Sequence, residues 1–324
     1  MGGIWSSWFY TFHAYYILLM KILTMKETYI LTVFTCTYNR ANTIGRTYES
    51  LCRQTIKDFK WLVVDDGSTD NTRKLVEEWQ KKDNGFEIVY AWKENGGLHT
   101  GYNKAIELMD TELCVCIDSD DWMPDDAVKK ILSFWKEKGS NDVAGIVGLD
   151  FLENNQPIGG LLPQIDRCHY YELEQKYNYR RDNKIVIRVD LFKQVAPQPT
   201  YNGEKNFNPM YMIYKIDLNY EWLILNENLC FVDYQPDGMS CGIYKQFLNS
   251  PNSFAALRIL YFKFPKTSSF FKLKQYIHLG SSACISKNVK WLFNAPHPTL
   301  AFLLLPLGYI LSLYIKYKVK HHQH

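Results

Sequence analysis

Four apolar runs of strand length recur through the first 140 residues, and amphipathic segments separate them. The runs Thr28–Thr35, Phe59–Asp65, Phe86–Trp92 and Leu113–Ile117 read as buried strands. Thr43 can cap a helix reaching about Gln54. A second helix starts at Asp70 or Thr72 and stops near Asn84-Gly85, where glycine suits a helix end. A third follows the loop Lys93–Gly97 and runs to about Met109, and a fourth takes Pro124 at its first position and ends near Gly139. Strands and helices alternating at this spacing cannot pair as hairpins. They dictate an α/β fold with a mostly parallel sheet and helices on both faces. From about Asp142 the alternation weakens, which suits a second half built on mixed strands.

Hydrophobic residues make up 47% of the 324 residues and aromatics 15%, enough for a sizeable core. The 8 cysteines form no CxxC pair. Cys114 and Cys116 fall on one face of the fourth strand, as small core residues. The pattern implies a reducing compartment, no disulfide framework and no zinc site.

Two of the strands end in carboxylates: Asp65-Asp66-Gly67-Ser68 and Asp118-Ser119-Asp120-Asp121. In open α/β sheets ligands bind beyond the carboxyl ends of the strands, so both clusters are expected to face one cleft. Three carboxylates in four residues repel one another unless a cation neutralises them. Asp118 and Asp120 are therefore expected to hold a divalent metal, Mg²⁺ or Mn²⁺, completed by substrate phosphates. A solvated loop is the alternative. Asp66 can accept from a nucleobase, or serve ordinary turn chemistry. The Asn95–His99 loop precedes a helix whose first N–H groups suit phosphate. Gly97, His99 and Asn103 are its candidates, against a plain loop. Glu204 lies between polar, proline-containing segments, where a carboxylate is either a general base or a surface charge.

Charge is lopsided. After Asp237 there is no acidic residue, and residues 238–324 carry 11 Lys or Arg, whereas the first 237 residues carry 26 against 34 Asp or Glu. Basic and apolar together suit an anionic membrane surface better than nucleic acid. Residues 299–315 are uncharged, with Pro306 inside and lysines on both flanks. That run is short for a span and favours a helix lying in the interface or re-entrant. Residues 1–27 read as an N-terminal extension or a short hydrophobic anchor.

Taken in order, Thr35–Arg40, Val64–Thr72, Glu94–His99 with Asn103, and Asp118–Asp121 resemble a family-2 glycosyltransferase with the GT-A fold, a Rossmann-like sheet, of the bacterial surface-polysaccharide type. The resemblance runs from Ile30 to about Gln235. It implies a catalytic domain over 28–240, with a nucleotide-sugar half at 28–141 and an acceptor half at 142–240, followed by a basic, apolar helical region at 241–324 that associates with membrane. Its nucleotide contacts would fall on Thr35, Tyr38, Arg40 and Asp66. Its metal motif would be Asp118, towards ribose and metal, and Asp120, on the metal. Similar proteins carry Gly-Glu-Lys-Phe on the acceptor side. Here Asn206 intervenes in Gly203-Glu204-Lys205-Asn206-Phe207, and Glu204 becomes the expected base, with Asp217 or Glu221 next. Tyr234–Ser240 resembles a stretch that follows in such enzymes. The implied reaction moves a sugar from a nucleotide-diphosphate donor to a sugar or lipid-linked glycan, inverting and metal-dependent. It would occur on the cytoplasmic side of the membrane, the protein being peripheral or monotopic, with no nucleic-acid partner. The alternative is a catalytically degenerate nucleotide-binding or scaffolding module.

Overall fold

A computed structural model describes residues 29–233 and 242–321. The N-terminal extension and the Tyr234–Ser240 stretch fall outside the described residues.

The first half follows the alternation of the sequence: β1 (Leu31–Thr37), α1 (Ile44–Cys52), β2 (Phe59–Asp65), α2 (Thr72–Trp79), β3 (Ile88–Trp92), α3 (Leu98–Leu108), β4 (Leu113–Cys116) and α4 (Ala127–Lys138). The fourth helix starts three residues later than Pro124 suggests. Trp122 bridges to Phe231, and the Pro124 carbonyl accepts from Gln54 Nε2 at 2.7 Å, so Pro124 sits in the turn before the helix. The second half comprises β5 (Val143–Phe151), β6 (Arg167–Cys168), α5 (Tyr170–Gln175), β7 (Asn183–Arg188), α6 (Val189–Val195), α7 (Met210–Asp217) and β8 (Glu221–Phe231).

Together the strands form one eight-stranded sheet in the order β3-β2-β1-β4-β7-β5-β8-β6. The first four strands are mutually parallel. β7 runs antiparallel to both β4 and β5, while β5 and β8 are parallel. Side chains alternate between the two faces of a strand. Phe59, Trp61 and Val63 pack under α1, α2 and α4, whereas Leu62 and Val64 pack with α3, α6 and α7. On the first face Tyr48 stacks on Trp79 with centroids 4.3 Å apart. Each such fully buried side chain contributes about 1.5–3 kcal/mol. Because β1, β2 and β4 are buried and in register, their polar C-terminal loops emerge along one edge, and there the cavity lies.

The C-terminal region is helical: α8 (Ile243–Asn249), α9 (Pro251–Tyr261), α10 (Ser269–Ser286), α11 (Lys290–Phe293), α12 (Pro298–Leu303) and α13 (Leu305–His321). α9 docks on the catalytic half through Phe207, Ala256 and Leu257, with Tyr211, Tyr214 and Trp291 around them. No helix among the described residues is long and apolar enough to cross a membrane.

Candidate active site

A cavity of about 640 Å³ opens at the ends of β1 and β4. That size suits a small-molecule or cofactor ligand. Tyr38, Arg40, Asp118, Asp120 and Asp121 line one side. Asp150, Asp182, Lys184, Asn208, Met210 and Ile213 contribute to the rest.

The loop carrying Asp118–Asp121 is held from α1. Arg46 Nη2 donates to the Asp120 carbonyl at 2.6 Å and to Asp233 Oδ2 at 2.7 Å, and its guanidinium lies 4.0 Å from the centroid of the Trp122 ring. Thr47 Oγ1 donates to the Asp121 carbonyl at 2.7 Å, and Ser50 Oγ accepts from Met123 N at 3.1 Å. One helix face thus fixes the backbone and leaves the Asp118 and Asp120 side chains to the cavity. Burial and then Asp118 push the Asp120 carboxyl above its usual range. Asp120, crowded by Asp118, belongs to a donor set whose repulsion a divalent cation would relieve. Among the described residues no three His, Cys, Asp or Glu side chains surround one cation position. A hard cation held by this pair would need phosphate and water to complete its shell.

Beneath this loop lies a buried ion cluster that the spacing of the sequence did not disclose. Lys184 Nζ stands 3.8 Å from Asp121 Oδ2 and 3.6 Å from Asp150 Oδ1. All three residues are at most 8% exposed. Burial, against the opposing pull of Lys184, pushes Asp150 up to about 6 and Asp121 up to about 8. Asp121 Oδ1 also accepts from Asp233 N at 3.2 Å, tying the loop to the end of β8.

The other expected nucleotide contacts lie elsewhere. Thr35 is fully buried, its hydroxyl accepting from Trp61 Nε1 at 3.0 Å. Asn103 is committed to the backbone of Gln198 in both directions, at 2.9 and 2.7 Å. Asp66 pairs with Lys93 and accepts from Gly96 N at 3.0 Å and Gly97 N at 2.8 Å. Its carboxylate organises the Lys93–Gly97 loop. Gly97, at φ +93°, packs so closely on the Lys205 carbonyl that an added Cβ would sit 1.9 Å from that oxygen. His99 is 1% exposed, burial lowers its pKa, and it is not among the side chains lining the cavity. Cys116, expected in the core with Cys114, lines the cavity instead.

Glu204, the expected base, faces α9. Its Oε1 accepts from Asn252 N and Nδ2, both at 2.8 Å, and its Oε2 from Ser253 N at 2.8 Å and Oγ at 2.6 Å. These are N-terminal groups of α9, where orphan N–H groups and the helix dipole favour a carboxylate. These four donors turn the carboxylate to α9, and Glu204 is not among the side chains lining the cavity. The reserve candidates are occupied too: Asp217 accepts from Tyr171 N and Trp222 Nε1, both at 2.9 Å, and Glu221 pairs with Arg167 at 3.0 Å.

The fold is that of solved glycosyltransferase structures. S. aureus TarS 1–349 in complex with UDP-GlcNAc superposes with a TM-score of 0.57 at 18% identity, covering 91% of this chain and 92% of that one. The mannosyltransferase PcManGT of Pyrobaculum calidifontis, in complex with GDP-Man and Mn²⁺, gives 0.54 at 18% identity, covering 94% and 89%. Residues 32–192 match the model of glycosyl transferase family 2, and this region of the chain belongs to that family. EpsH of Bacillus subtilis (strain 168) is 36% identical over 106 residues, which is 33% of this chain and 30% of EpsH. A hyaluronan synthase of Pasteurella multocida is 31% identical over 124 residues, 36% of this chain and 13% of the synthase. The match thus spans less than a third of either relative's length.

Proposed function

We propose that the chain transfers a sugar from a nucleotide-diphosphate donor to a hydroxyl of a sugar or lipid-linked glycan in surface-polysaccharide synthesis, with inversion and with a divalent metal. The observation that carries this reading is the Asp118–Asp120 pair on one wall of a cavity at the parallel strand ends. TarS and PcManGT, which share the fold, bind UDP-GlcNAc and GDP-Man. Tyr38 and Arg40, which line the same cavity, would hold base and phosphate. Asp118 and Asp120 would hold Mg²⁺ or Mn²⁺, which supplies Lewis-acid stabilisation of the departing diphosphate.

An inverting reaction needs a carboxylate opposite the leaving group to take the acceptor proton. Asp150 is buried against Lys184, whereas Asp182 is exposed and lines the cavity just before β7. Asp182 therefore takes the role expected of Glu204. The reading also places the protein peripherally on the cytoplasmic side of a membrane, where lipid-linked acceptors are met. Donor consumption by purified protein, with Asp182→Asn and Asp120→Ala beside it, tests the assignment. Undiminished transfer in Asp120→Ala would refute it.

A further inference from the structure

Helix α13 is built with its large side chains facing the wrong way for a core helix. Its inward positions are Gly308, Ser312 and Ile315. Gly308 meets Gly280 of α10 so closely that an added Cβ would lie 2.7 Å from the Gly280 carbonyl carbon. Gly308 and Ser312 thus face the protein with small side chains, and Ile315 is buried on the same side. At 100° per residue, Ile310, Leu313 and Tyr317 point the opposite way, and Leu307 lies beside them. They are 60%, 47%, 58% and 48% exposed. Leu303, just before α13, is 74% exposed, and Phe293 of α11 is 63% exposed. The rings of Phe293 and Phe302 lie 5.0 Å apart, so exposed apolar side chains occur on three successive helices. Water covers such a surface only at a cost, and a contiguous patch of this kind marks an interaction site.

Charge selects among the partners. Residues 238–324 carry 11 Lys or Arg and no Asp or Glu. Lys316 and Lys318 leave α13 on either side of its apolar stripe, where their stems can lie along it while the ammonium groups reach outward. A second copy would bring like charge against like. An anionic bilayer complements both features, apolar groups entering the acyl boundary and lysines meeting headgroups.

We infer that the outer face of α13, continued by Leu303 and Phe293, is an in-plane docking surface for an anionic lipid bilayer. The helix lies parallel to the membrane, with its Gly308 side on the protein. This identifies the surface by which the chain would meet the membrane. It stands apart from the transfer chemistry and is tested without it.

The test is co-sedimentation of the full chain with phosphatidylcholine vesicles and with vesicles half phosphatidylglycerol. Wild type should pellet with the anionic vesicles and bind the neutral ones at least about tenfold more weakly, since each basic residue near an anionic surface is worth roughly fivefold. The triple variant Leu307→Ser, Ile310→Ser, Leu313→Ser should lose binding to both. Lys316→Gln, Lys318→Gln, Lys320→Gln should lose the preference for anionic lipid. Unchanged melting temperatures show that the variants fold. Wild type remaining in the supernatant with anionic vesicles overturns the inference. So does a dimer in analytical ultracentrifugation that the serine variant dissolves, because the face would then be covered by a second copy.

Discussion

The Glu204 carboxylate caps α9, which begins two residues before Ser253: its Oε2 accepts from both Ser253 N, at 2.8 Å, and Ser253 Oγ, at 2.6 Å. Ser250, the residue at the cap position of α9, has a buried hydroxyl without a hydrogen-bond partner among the described residues. The cap therefore comes from a segment 49 residues away. The same contact fastens the C-terminal helices to the loop that packs on Gly97.

Glu204→Ala should accordingly act on stability. Hydrogen bonds to a charged group contribute about 1.5–3 kcal/mol each, and the stranded N–H groups of α9 add a desolvation cost. We expect a loss of at least ~2 kcal/mol in urea unfolding. Asp182→Asn should act on catalysis instead, with turnover lowered about 10²- to 10⁴-fold. If the two variants exchanged these phenotypes, Glu204 would be the base after all.

Lys184→Met should be destabilising in a pH-dependent way. Removing one partner from a buried ion cluster typically costs about 3–5 kcal/mol. The folded-state pKa values of Asp150 and Asp121 are raised, to about 6 and about 8, so the folded state binds more protons than the unfolded one between the ordinary carboxylate range and those values. Stability contributed by these groups is present at low pH and is lost as pH rises through that window. Without the ammonium the loss steepens. Urea titrations at pH 5.5 and pH 8 should therefore show a larger gap between variant and wild type at pH 8. An equal gap at both values would mean that Lys184 does not compensate these carboxylates.

His278 works in the opposite direction. Burial, then Arg258 and Lys274, lower its pKa to about 3. The unfolded imidazole binds protons that the folded one refuses, so stability present above the ordinary histidine range falls as pH drops below about 6.5. Relative to wild type, His278→Gln should gain up to about 1.4 kcal/mol between pH 7.5 and pH 5.5. Parallel melting curves for the two proteins across that range would show that the ring is not held neutral.

Much of the first half is legible because its determinants are local. The apolar runs of β1, β2 and β4 set both strands and register, and Tyr38, Arg40, Asp118 and Asp120 reach the cavity because they follow strand ends. The residues that were misread have partners far along the chain. Thr35 turns to Trp61, 26 residues away, Asn103 to Gln198, 95 away, and Glu204 to Asn252, 48 away. No spacing rule links those pairs. Lys184, Asp150 and Asp182 escaped notice for the same reason, since β7 and β5 meet β4 only through an antiparallel insertion. In α13 a nearly uniform apolar sequence hides the face, and only the Gly280–Gly308 approach shows which side is inward.

The central claim is that Asp118 and Asp120 hold a metal against a nucleotide-sugar diphosphate. It is tested most directly by thermal shift with a panel of UDP- and GDP-sugars, with and without Mn²⁺, on wild type and Asp120→Ala. A ligand at a hundredfold excess over its Kd stabilises by about 2.7 kcal/mol. The account predicts that at least one nucleotide sugar raises the wild-type melting temperature more with Mn²⁺ than without. It predicts that Asp120→Ala keeps its own melting temperature but loses the Mn²⁺-dependent part. A nucleotide sugar that stabilises wild type and Asp120→Ala equally, with or without Mn²⁺, would contradict it.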